Sequence, residues 1–317
     1  MWLRHRLSLL RQSERAFVFD QCIGKGAFGA VYSGTHDGVR RAAKVIDTQK
    51  LSASDARLLE NEIRIWSRLH HPNIVLMYDV QRSPQRCVIV CELLEGGSLR
   101  DRHVRMVRLG SKPRILTILT GLGQIATAMA HLHALGYIHR DLKSENVLLT
   151  ADQDTLKVAD FGLARLIEGD DKTAETGSYR HMAPEVIRHE RYDSACDVYS
   201  FAMILYEMLT LSVPFVHYTP VDAALAVACR AERPPVPSGA FTPEVVALLT
   251  DCWAQNAGQR PRFATIVERV EGLKAKKSSF GSLQLARSSV STQASTTTSP
   301  PATRTSAEAP PCTTLAR

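Results

Sequence analysis

The spacing of apolar residues changes once along the chain, and this change limits the folds that the chain can adopt. One helix is predicted in the first part, from about Ser54 to Leu69, with Ser54 as its N-cap and His71-Pro72 ending it. Around it, residues 17–91 contain short runs rich in Val and Ile between turn residues, which predict the strands FVFDQCIG, AVYSGTH, RRAAKVI, NIVLMYDV and RCVIVCEL.

The chain beyond Gly96-Gly97 is mainly helical by the same criterion. Apolar residues recur at helical spacing near 114–135, 194–210, 220–231, 242–254 and 262–272. A small β-rich part followed by a larger helical part predicts an α+β chain with two lobes and a cleft between them.

Composition changes again near Lys274. Between residues 278 and 317, 17 of 40 residues are Ser or Thr and Pro recurs, so apolar side chains are too sparse to bury a core. We therefore expect a basic N-terminal segment (1–16), one domain (17–273, dividing into lobes 17–94 and 95–273) and a disordered tail (274–317).

The net charge of +7 is concentrated at the two ends of the chain. Residues 1–16 carry +3 and residues 273–317 carry +5, which leaves −1 for the middle. A nucleic-acid-binding domain places its basic surplus in the folded part, so nucleic acid is not expected as a partner. The basic ends predict at most weak contact with a membrane surface or with acidic proteins.

The seven cysteines include no CxxC pair, which argues against a disulfide framework or a zinc site and favours reduced thiols in a cytoplasmic protein. No transmembrane segment is predicted, because no apolar run approaches about 18 residues. The start, MWLRHRLSLLRQSER, lacks the apolar region of a signal peptide. A short helix packed on the domain or a frayed end is favoured there, with a mitochondrial presequence or a membrane-surface helix as alternatives.

A glycine-rich run, GKGAFGAV, contains Gly24, Gly26 and Gly29. A lone GxGxxG also fits a dinucleotide site or a plain turn. In a dinucleotide fold the last glycine opens a helix, whereas here the run continues into the strand pattern Val31-Tyr32. This context favours a hairpin whose backbone approaches phosphates, with Phe28 at its tip.

Lys44 lies within an apolar predicted strand, where its ammonium needs an anionic partner. Glu62 follows eighteen residues later on the predicted helix. An ion pair between them would position Lys44 on nucleotide phosphates, and an exposed lysine on an edge strand is the alternative.

The run HRDLKSEN follows the long helix and supplies three kinds of polar group. Asp141 can accept a hydroxyl proton, Lys143 can neutralise a transferring phosphoryl group, and Asn146 offers an amide oxygen to Mg²⁺. Asp160, in the tripeptide DFG after a predicted strand from Leu156 to Ala159, adds a carboxylate for the metal. One acid, one cation and hard oxygen ligands are what in-line phosphoryl transfer needs.

Taken in order, GKGAFGAV, AAK, the helical Glu62, HRDLKSEN, DFG and Met182-Ala183-Pro184-Glu185 resemble a eukaryotic protein kinase over about Phe17 to Leu273. The resemblance implies a bilobal protein-kinase fold, with ATP and Mg²⁺, or Mn²⁺ in its place, in the cleft between the lobes.

The resemblance also implies secondary roles. The adenine edge would be read by the Glu92 carbonyl and the Leu94 amide, with Cys91 guarding the back of the site. The resemblance further implies an ion pair of Glu185 with Arg260. It also implies a contact of Asp197 with the catalytic loop, which is the HRDLKSEN run. The expected nucleotide-binding residues are Ile23, Gly24, Gly26, Phe28, Gly29, Val31, Ala42, Lys44, Cys91, Glu92, Leu94 and Leu148.

Lys143, GSYRHMAPE, DVYSFA and the CW…RP pattern resemble the tyrosine-kinase-like group, which implies protein substrates with Ser or Thr acceptors. Three residues depart from the group. His181 stands where Trp is usual, Ala43 replaces a larger aliphatic residue, and Trp66 is bulky for the expected stack of Trp66, Met77, His139 and Phe161. The bulk of Trp66 could affect how readily the helix that carries Glu62 adopts its active position.

The resemblance also predicts regulation by phosphorylation. Arg140 would pair with a phosphate on Thr173 or Thr176, while Ser178 would bond Asp141 and Lys143. The Ser/Thr-rich tail is a further candidate substrate. A pseudokinase scaffold and a tyrosine or dual-specificity kinase remain alternatives, the first disfavoured by the presence of Lys44, Glu62, Asp141, Asn146 and Asp160.

Overall fold

Five antiparallel strands form one sheet in the first part of the domain, in the order β1-β2-β3-β5-β4. The computed structural model describes residues 16–26, 29–166 and 179–277. The strands are β1 (Val18–Gly26), β2 (Gly29–His36), β3 (Val39–Asp47), β4 (Met77–Arg82) and β5 (Arg86–Cys91). All five predicted strands are confirmed.

Strand β4 begins later than its apolar run predicts. Residues 73–75 bond to the segment around Val158 instead of joining the sheet: Val158 N donates to Asn73 O at 2.8 Å and Val75 N donates to Val158 O at 3.0 Å. Backbone groups satisfied in this way cannot also form a ladder with β5.

Helix α1 (Ala53–Trp66) connects β3 to β4. The predicted N-cap Ser54 is wrong, because Ser52 caps the helix in a reciprocal capping box with Asp55. The helix also ends at Trp66, one turn before the His71-Pro72 pair that was expected to stop it.

The second part of the domain is helical, as predicted. Two short strand pairs accompany the helices, β6 (Tyr137–Ile138) with β9 (Arg165–Leu166) and β7 (Val147–Leu149) with β8 (Leu156–Val158). The helices are α2 (Leu99–Arg108), α3 (Ile115–Ala134), α4 (Pro184–Ile187), α5 (Ala195–Thr210), α6 (Pro220–Arg230), α7 (Pro243–Cys252) and α8 (263–277). The expected bilobal α+β protein-kinase architecture is thereby confirmed.

Helix α3 is long and apolar enough, by length and composition, to cross a membrane, and it is the one described helix of which this is true. The sequence reading, which found no such run, was wrong on this point. The helix is more than half buried within the domain, where it packs against α5 and β8. Its apolar character is therefore that of a core helix.

Alternate residues of the central strands face opposite sides of the sheet. Ala42 and Cys91, which are paired across β3 and β5, belong to the main core that continues into the helical part. Ala43 is fully buried in a smaller cluster on the other face, with Phe17, Val88 and Val90. The small side chain at 43 therefore lies on the outer face, away from the cleft.

Candidate active site

Lys44 and Glu62 form an ion pair between the sheet and helix α1. The Nζ of Lys44 lies 2.6 Å from Glu62 Oε1 and 3.5 Å from Asp160 Oδ1. Strand β3 is flanked by β2 and β5, and the Lys44 side chain is 23 % exposed, so the alternative of an exposed lysine on an edge strand is wrong.

The same pair shifts two pKa values. Burial lowers the pKa of Lys44, but the carboxylates of Glu62 and Asp160 outweigh it and raise that pKa overall. Burial raises the pKa of Glu62 despite the attraction of Lys44. The ammonium is therefore held as a cation, whereas the ionised form of Glu62 depends on Lys44.

The loop between β6 and β7 brings together the three predicted groups of HRDLKSEN. Lys143 Nζ donates to Asp141 Oδ2 at 2.7 Å, and Asn146 Nδ2 donates to the same oxygen at 2.9 Å and to the Asp141 carbonyl at 2.8 Å. Within the described residues both hydrogen bonds of the Asn146 side chain are donated by its amide nitrogen, and its amide oxygen accepts none. The loop thus fixes Asp141 from two sides.

The backbone before Asp141 is held in a strained conformation by Asp197. Arg140 has φ of +70°, which a side-chain-bearing residue rarely adopts. The buried Asp197 carboxylate accepts from the amides of Arg140 at 2.9 Å and His139 at 2.8 Å, and it bonds His133 Nε2 at 2.8 Å. The predicted tie between Asp197 and this loop is present, and it offsets the strain at Arg140.

Asp160 presents its carboxylate to the cleft from the end of β8. Its side chain is 52 % exposed and its φ is +62°. Desolvation opposes ionisation, but the charges of Lys44 and His139 lower the pKa of Asp160 overall. An ionised, accessible carboxylate thus lies beside Lys44.

Phe161 is buried between Trp66 and His139, with ring centroids 6.1 and 5.3 Å away. The half-buried Met77 packs against the same core. The indole Nε1 of Trp66 donates to Val75 O at 2.7 Å, so the one polar atom of this buried ring has a partner. The bulk of Trp66 is accommodated while the Lys44–Glu62 pair, one turn earlier, is formed.

The glycine-rich run is a hairpin, because Gly24 and Gly26 on β1 pair with Val31 and Gly29 on β2. A Cβ on Gly29 would lie 2.0 Å from Val45 O, so this glycine is required by the close approach of β3. No helix follows the last glycine, and the dinucleotide alternative is therefore wrong.

The segment after β5 joins the two lobes. Cys91 is buried opposite Ala42, and burial raises the pKa of its thiol to about 12. Glu92 accepts a hydrogen bond from Lys157 Nζ at 2.8 Å, and its amide donates to Leu76 O at 2.9 Å. Val31, Leu94 and Leu148 are half-buried and pack against the main core, whereas Ile23 is exposed.

Glu185 and Arg260 form a bidentate buried pair, with distances of 2.6 and 2.8 Å. Arg260 also donates to the carbonyl oxygens of Ala254 and Ala195, both at 2.9 Å, and packs on the Tyr199 ring. The predicted pair is present, and each of the three guanidinium nitrogens of Arg260 donates at least one hydrogen bond.

A family model described as Protein kinase domain matches residues 17–270. The chain belongs to the protein kinase family. Serine/threonine-protein kinase STY46 of Arabidopsis thaliana is 34 % identical over 83 % of this chain and 47 % of its own length. From the same organism, serine/threonine-protein kinase VIK is 39 % identical (84 % and 62 %), and serine/threonine/tyrosine-protein kinase HT1 is 37 % identical (78 % and 63 %).

These relatives agree with the resemblance to the tyrosine-kinase-like group, to which the kinase domain is assigned. The chain spans between about half and just under two thirds of the length of the three relatives.

Three contacts of this kinase domain were not predicted from the sequence. Asn61 Nδ2, beside Glu62, donates to Ala164 O at 3.0 Å and so ties helix α1 to the segment after Asp160. Lys157 holds Glu92, and His133 holds Asp197. The sequence does indicate that such a contact exists where a polar residue falls on the buried side of a helix, as His133 does one turn after Met129. It does not indicate which residue is the partner.

Four predicted residues, Phe28, Thr173, Thr176 and Ser178, lie outside the described residues. His181, which replaces the usual Trp, is described. It is buried, and its Nε2 lies 3.4 Å from Oε1 of the buried Glu207.

Proposed function

We propose that this chain is an ATP-dependent protein kinase that transfers the γ-phosphate to Ser and Thr hydroxyls of protein substrates. The observation that carries the proposal is the complete charged set in one arrangement: Lys44 paired with Glu62, and Asp141 fixed by Lys143 and Asn146. Phosphoryl transfer needs such positioned charges more than covalent chemistry.

Each residue of this set has a separate role in the proposed reaction. Lys44, oriented by Glu62, binds the α- and β-phosphates. Asp141 accepts the proton of the substrate hydroxyl, and Lys143 neutralises charge that develops on the transferred group.

The oxygen donors fit a hard divalent cation. The accessible Asp160 carboxylate and the amide oxygen of Asn146, which accepts no hydrogen bond from the described residues, are ligands that suit Mg²⁺, and Mn²⁺ accepts the same donors. A cation held by these two residues would supply positive charge against the phosphates of the nucleotide.

The adenosine part is assigned to the cleft between the sheet and β7. The carbonyl of Glu92 and the amide of Leu94 would read the adenine edge, next to Cys91. Apolar faces would come from Ile23, Val31, Ala42 and Leu148, and the phosphates would lie under Gly24, Gly26, Phe28 and Gly29.

We further propose the domain limits 17–94 and 95–273, an intracellular location, and weak contact of the basic termini with acidic partners.

Phosphorylation of Thr173 or Thr176 would bring a dianion to Arg140, with Ser178 in a structural role. Phosphopeptide mapping of active enzyme tests the switch, and the absence of phosphate on both threonines would refute it.

The main proposal is tested by measuring the transfer of labelled γ-phosphate from Mg·ATP to a generic basic protein. The wild type and Asp141→Asn are compared in the same assay. We expect incorporation that collapses in the variant, because the proton acceptor is lost. Binding of ATP without incorporation by the wild type would favour a pseudokinase scaffold instead.

A second candidate is a dual-specificity kinase, which is favoured by the similarity to HT1, a relative named as a serine/threonine/tyrosine-protein kinase. Phosphoamino-acid analysis of the labelled product separates the candidates. Phosphoserine and phosphothreonine alone support the first, and added phosphotyrosine supports the second.

A further inference from the structure

The surface formed by α2 and the start of α3 carries a concentrated positive charge. Between residues 99 and 116 the chain has six Arg or Lys and a single Asp, a net charge of +5, within a domain whose balance is close to zero. Four of these cations are exposed: Arg105, Arg108, Lys112 and Arg114. We call these four, with their apolar neighbours, the α2 basic surface.

Some exposed cations elsewhere on the described part of the domain are paired with acidic neighbours, as Arg82 is with Glu60, Arg188 with Glu190 and Arg230 with Glu232. Others, such as Arg57 and Arg191, have no ion pair among the described residues but lie apart from one another along the chain, so it is the concentration of cations that distinguishes the surface at α2. None of the four cations of the α2 basic surface has an ion pair within the described parts of the chain. Asp101, which attracts Arg105 weakly, is already engaged as the capping residue of α2.

Apolar side chains are exposed among these cations. Val107 is 57 % exposed, Leu109 is 71 % exposed and Leu116 is 45 % exposed. Unpaired cations around exposed aliphatic groups form a surface suited to an acidic partner that also carries apolar residues.

The α2 basic surface is connected to the catalytic loop. Ser98, at the start of α2, bridges to Leu148, and His103 on the opposite side of the helix is buried where α2 contacts the turn Ser144–Asn146. At a rise of 1.5 Å per residue, Arg108 lies about 15 Å along the helix from Ser98. A chain bound here could therefore reach the catalytic loop through a linker of several residues.

We propose that the α2 basic surface binds an acidic, aliphatic-containing linear segment of the protein substrate, away from its phosphorylated residue. The proposal rests on the proposed kinase function and extends it to substrate choice. The chain's own ends are unsuitable occupants, because residues 1–15 carry +3 and residues 278–317 carry +2. Such docking raises the effective concentration of the acceptor without contributing to the chemical step.

Two acceptor peptides test the proposal on the full chain. They share one Ser-containing segment, and one peptide is extended through a Gly/Ser linker of about ten residues to a segment of alternating Glu and Leu. The extension is placed at either end in turn, because the direction of the bound chain is open. We expect KM for one extended peptide to be about tenfold lower than for the short peptide, with kcat unchanged.

Charge reversal should remove this advantage. In Arg105→Glu/Arg108→Glu we expect equal KM values for both peptides, and in Leu109→Ser a partial loss. The matched control is Arg191→Glu/Arg262→Glu, which changes the charge equally at two other exposed positions and should keep the tenfold difference. Raising salt from 0.05 to 0.5 M should weaken the advantage in the wild type.

Binding of the labelled Glu/Leu segment without ATP, measured by fluorescence anisotropy, separates this proposal from the kinase proposal. Binding that the Arg105/Arg108 reversal abolishes, without any phosphate transfer, would support docking and refute the kinase activity. Transfer with equal KM for every peptide and no anisotropy change would overturn the docking proposal. Charge-dependent binding to vesicles with 30 % phosphatidylserine, without peptide binding, would assign the surface to a membrane and overturn it as well.

Discussion

The indole Nε1 of Trp66 donates a hydrogen bond of 2.7 Å to the carbonyl oxygen of Val75, and this bond joins the end of helix α1 to the chain that precedes strand β4. Both groups are buried, so the carbonyl has no access to solvent as an alternative donor. The bond satisfies the one polar atom of the indole while the ring packs against Phe161 and the Lys44–Glu62 pair is formed.

We expect Trp66→Phe to lower the free energy of unfolding by about 1–3 kcal/mol, because the Val75 carbonyl would remain buried without its donor. Urea denaturation of both proteins measures the difference. Ser67→Ala, one residue further on at an exposed position, is the control and should change stability little. An unchanged midpoint for Trp66→Phe would mean that the bond contributes nothing net.

The order of elements and the catalytic set could be predicted from the sequence, because both depend on local patterns. Strand and helix periodicity located β1–β5, α1, α3 and α5–α8, and short motifs located Lys44, Asp141, Asn146 and Asp160. Helix α2 was not separated from its surroundings, since its polar face dominates its short sequence.

Contacts between distant residues could not be predicted from such patterns. Asn61 and Ala164 are 103 residues apart, and Lys157 and Glu92 are 65 apart. Their partners are set by how α1 and β8 pack, which no local spacing encodes. The cap of α1 was misassigned for a smaller reason: Ser52 and Ser54 are both good capping residues, and the reciprocal bond with Asp55 decides between them.

The raised pKa of Glu62 has a consequence for activity at low pH. Folding favours the protonated form of this buried carboxyl, so as pH falls the proton binds at a higher pH than on a free glutamate. A neutral Glu62 cannot hold Lys44 as an ion pair, and the affinity for ATP should therefore fall on the acid side of neutrality. The measurement is KM for ATP as a function of pH.

Glu62→Gln is the control for this prediction. The variant should show a high KM for ATP at pH 7, and between pH 5 and 7 its KM should vary less than that of the wild type. If the wild type and the variant show the same pH dependence, another group is responsible and the assignment to Glu62 is wrong.

Asp197→Asn should slow catalysis without weakening nucleotide binding. The amide keeps one acceptor oxygen, whereas the carboxylate uses both oxygens to hold the amides of His139 and Arg140. Relaxation of the positive φ at Arg140 would displace Asp141, and a displacement of about 1 Å can cost about 100-fold in rate.

The readout that separates positioning from general damage is the division between kcat and KM. We expect kcat to fall by about 100-fold with KM for ATP within about twofold, since Lys44 and Glu62 lie elsewhere. A matched loss of ATP affinity would argue that Asp197 supports the whole fold and does not specifically position the loop.

Glu185→Gln tests the buried pair with Arg260. Removing one charge leaves a guanidinium that is fully buried and only partly compensated by the carbonyl oxygens of Ala254 and Ala195. Breaking a buried pair in this way costs about 3–5 kcal/mol, so we expect a large shift in the urea midpoint. Arg260→Lys keeps the charge but loses the bidentate geometry, and it should destabilise the domain less. If Arg260→Lys proved the more damaging variant, the bonds of Arg260 to the two carbonyl oxygens would outweigh the ion pair in holding α4 against the loop before α8.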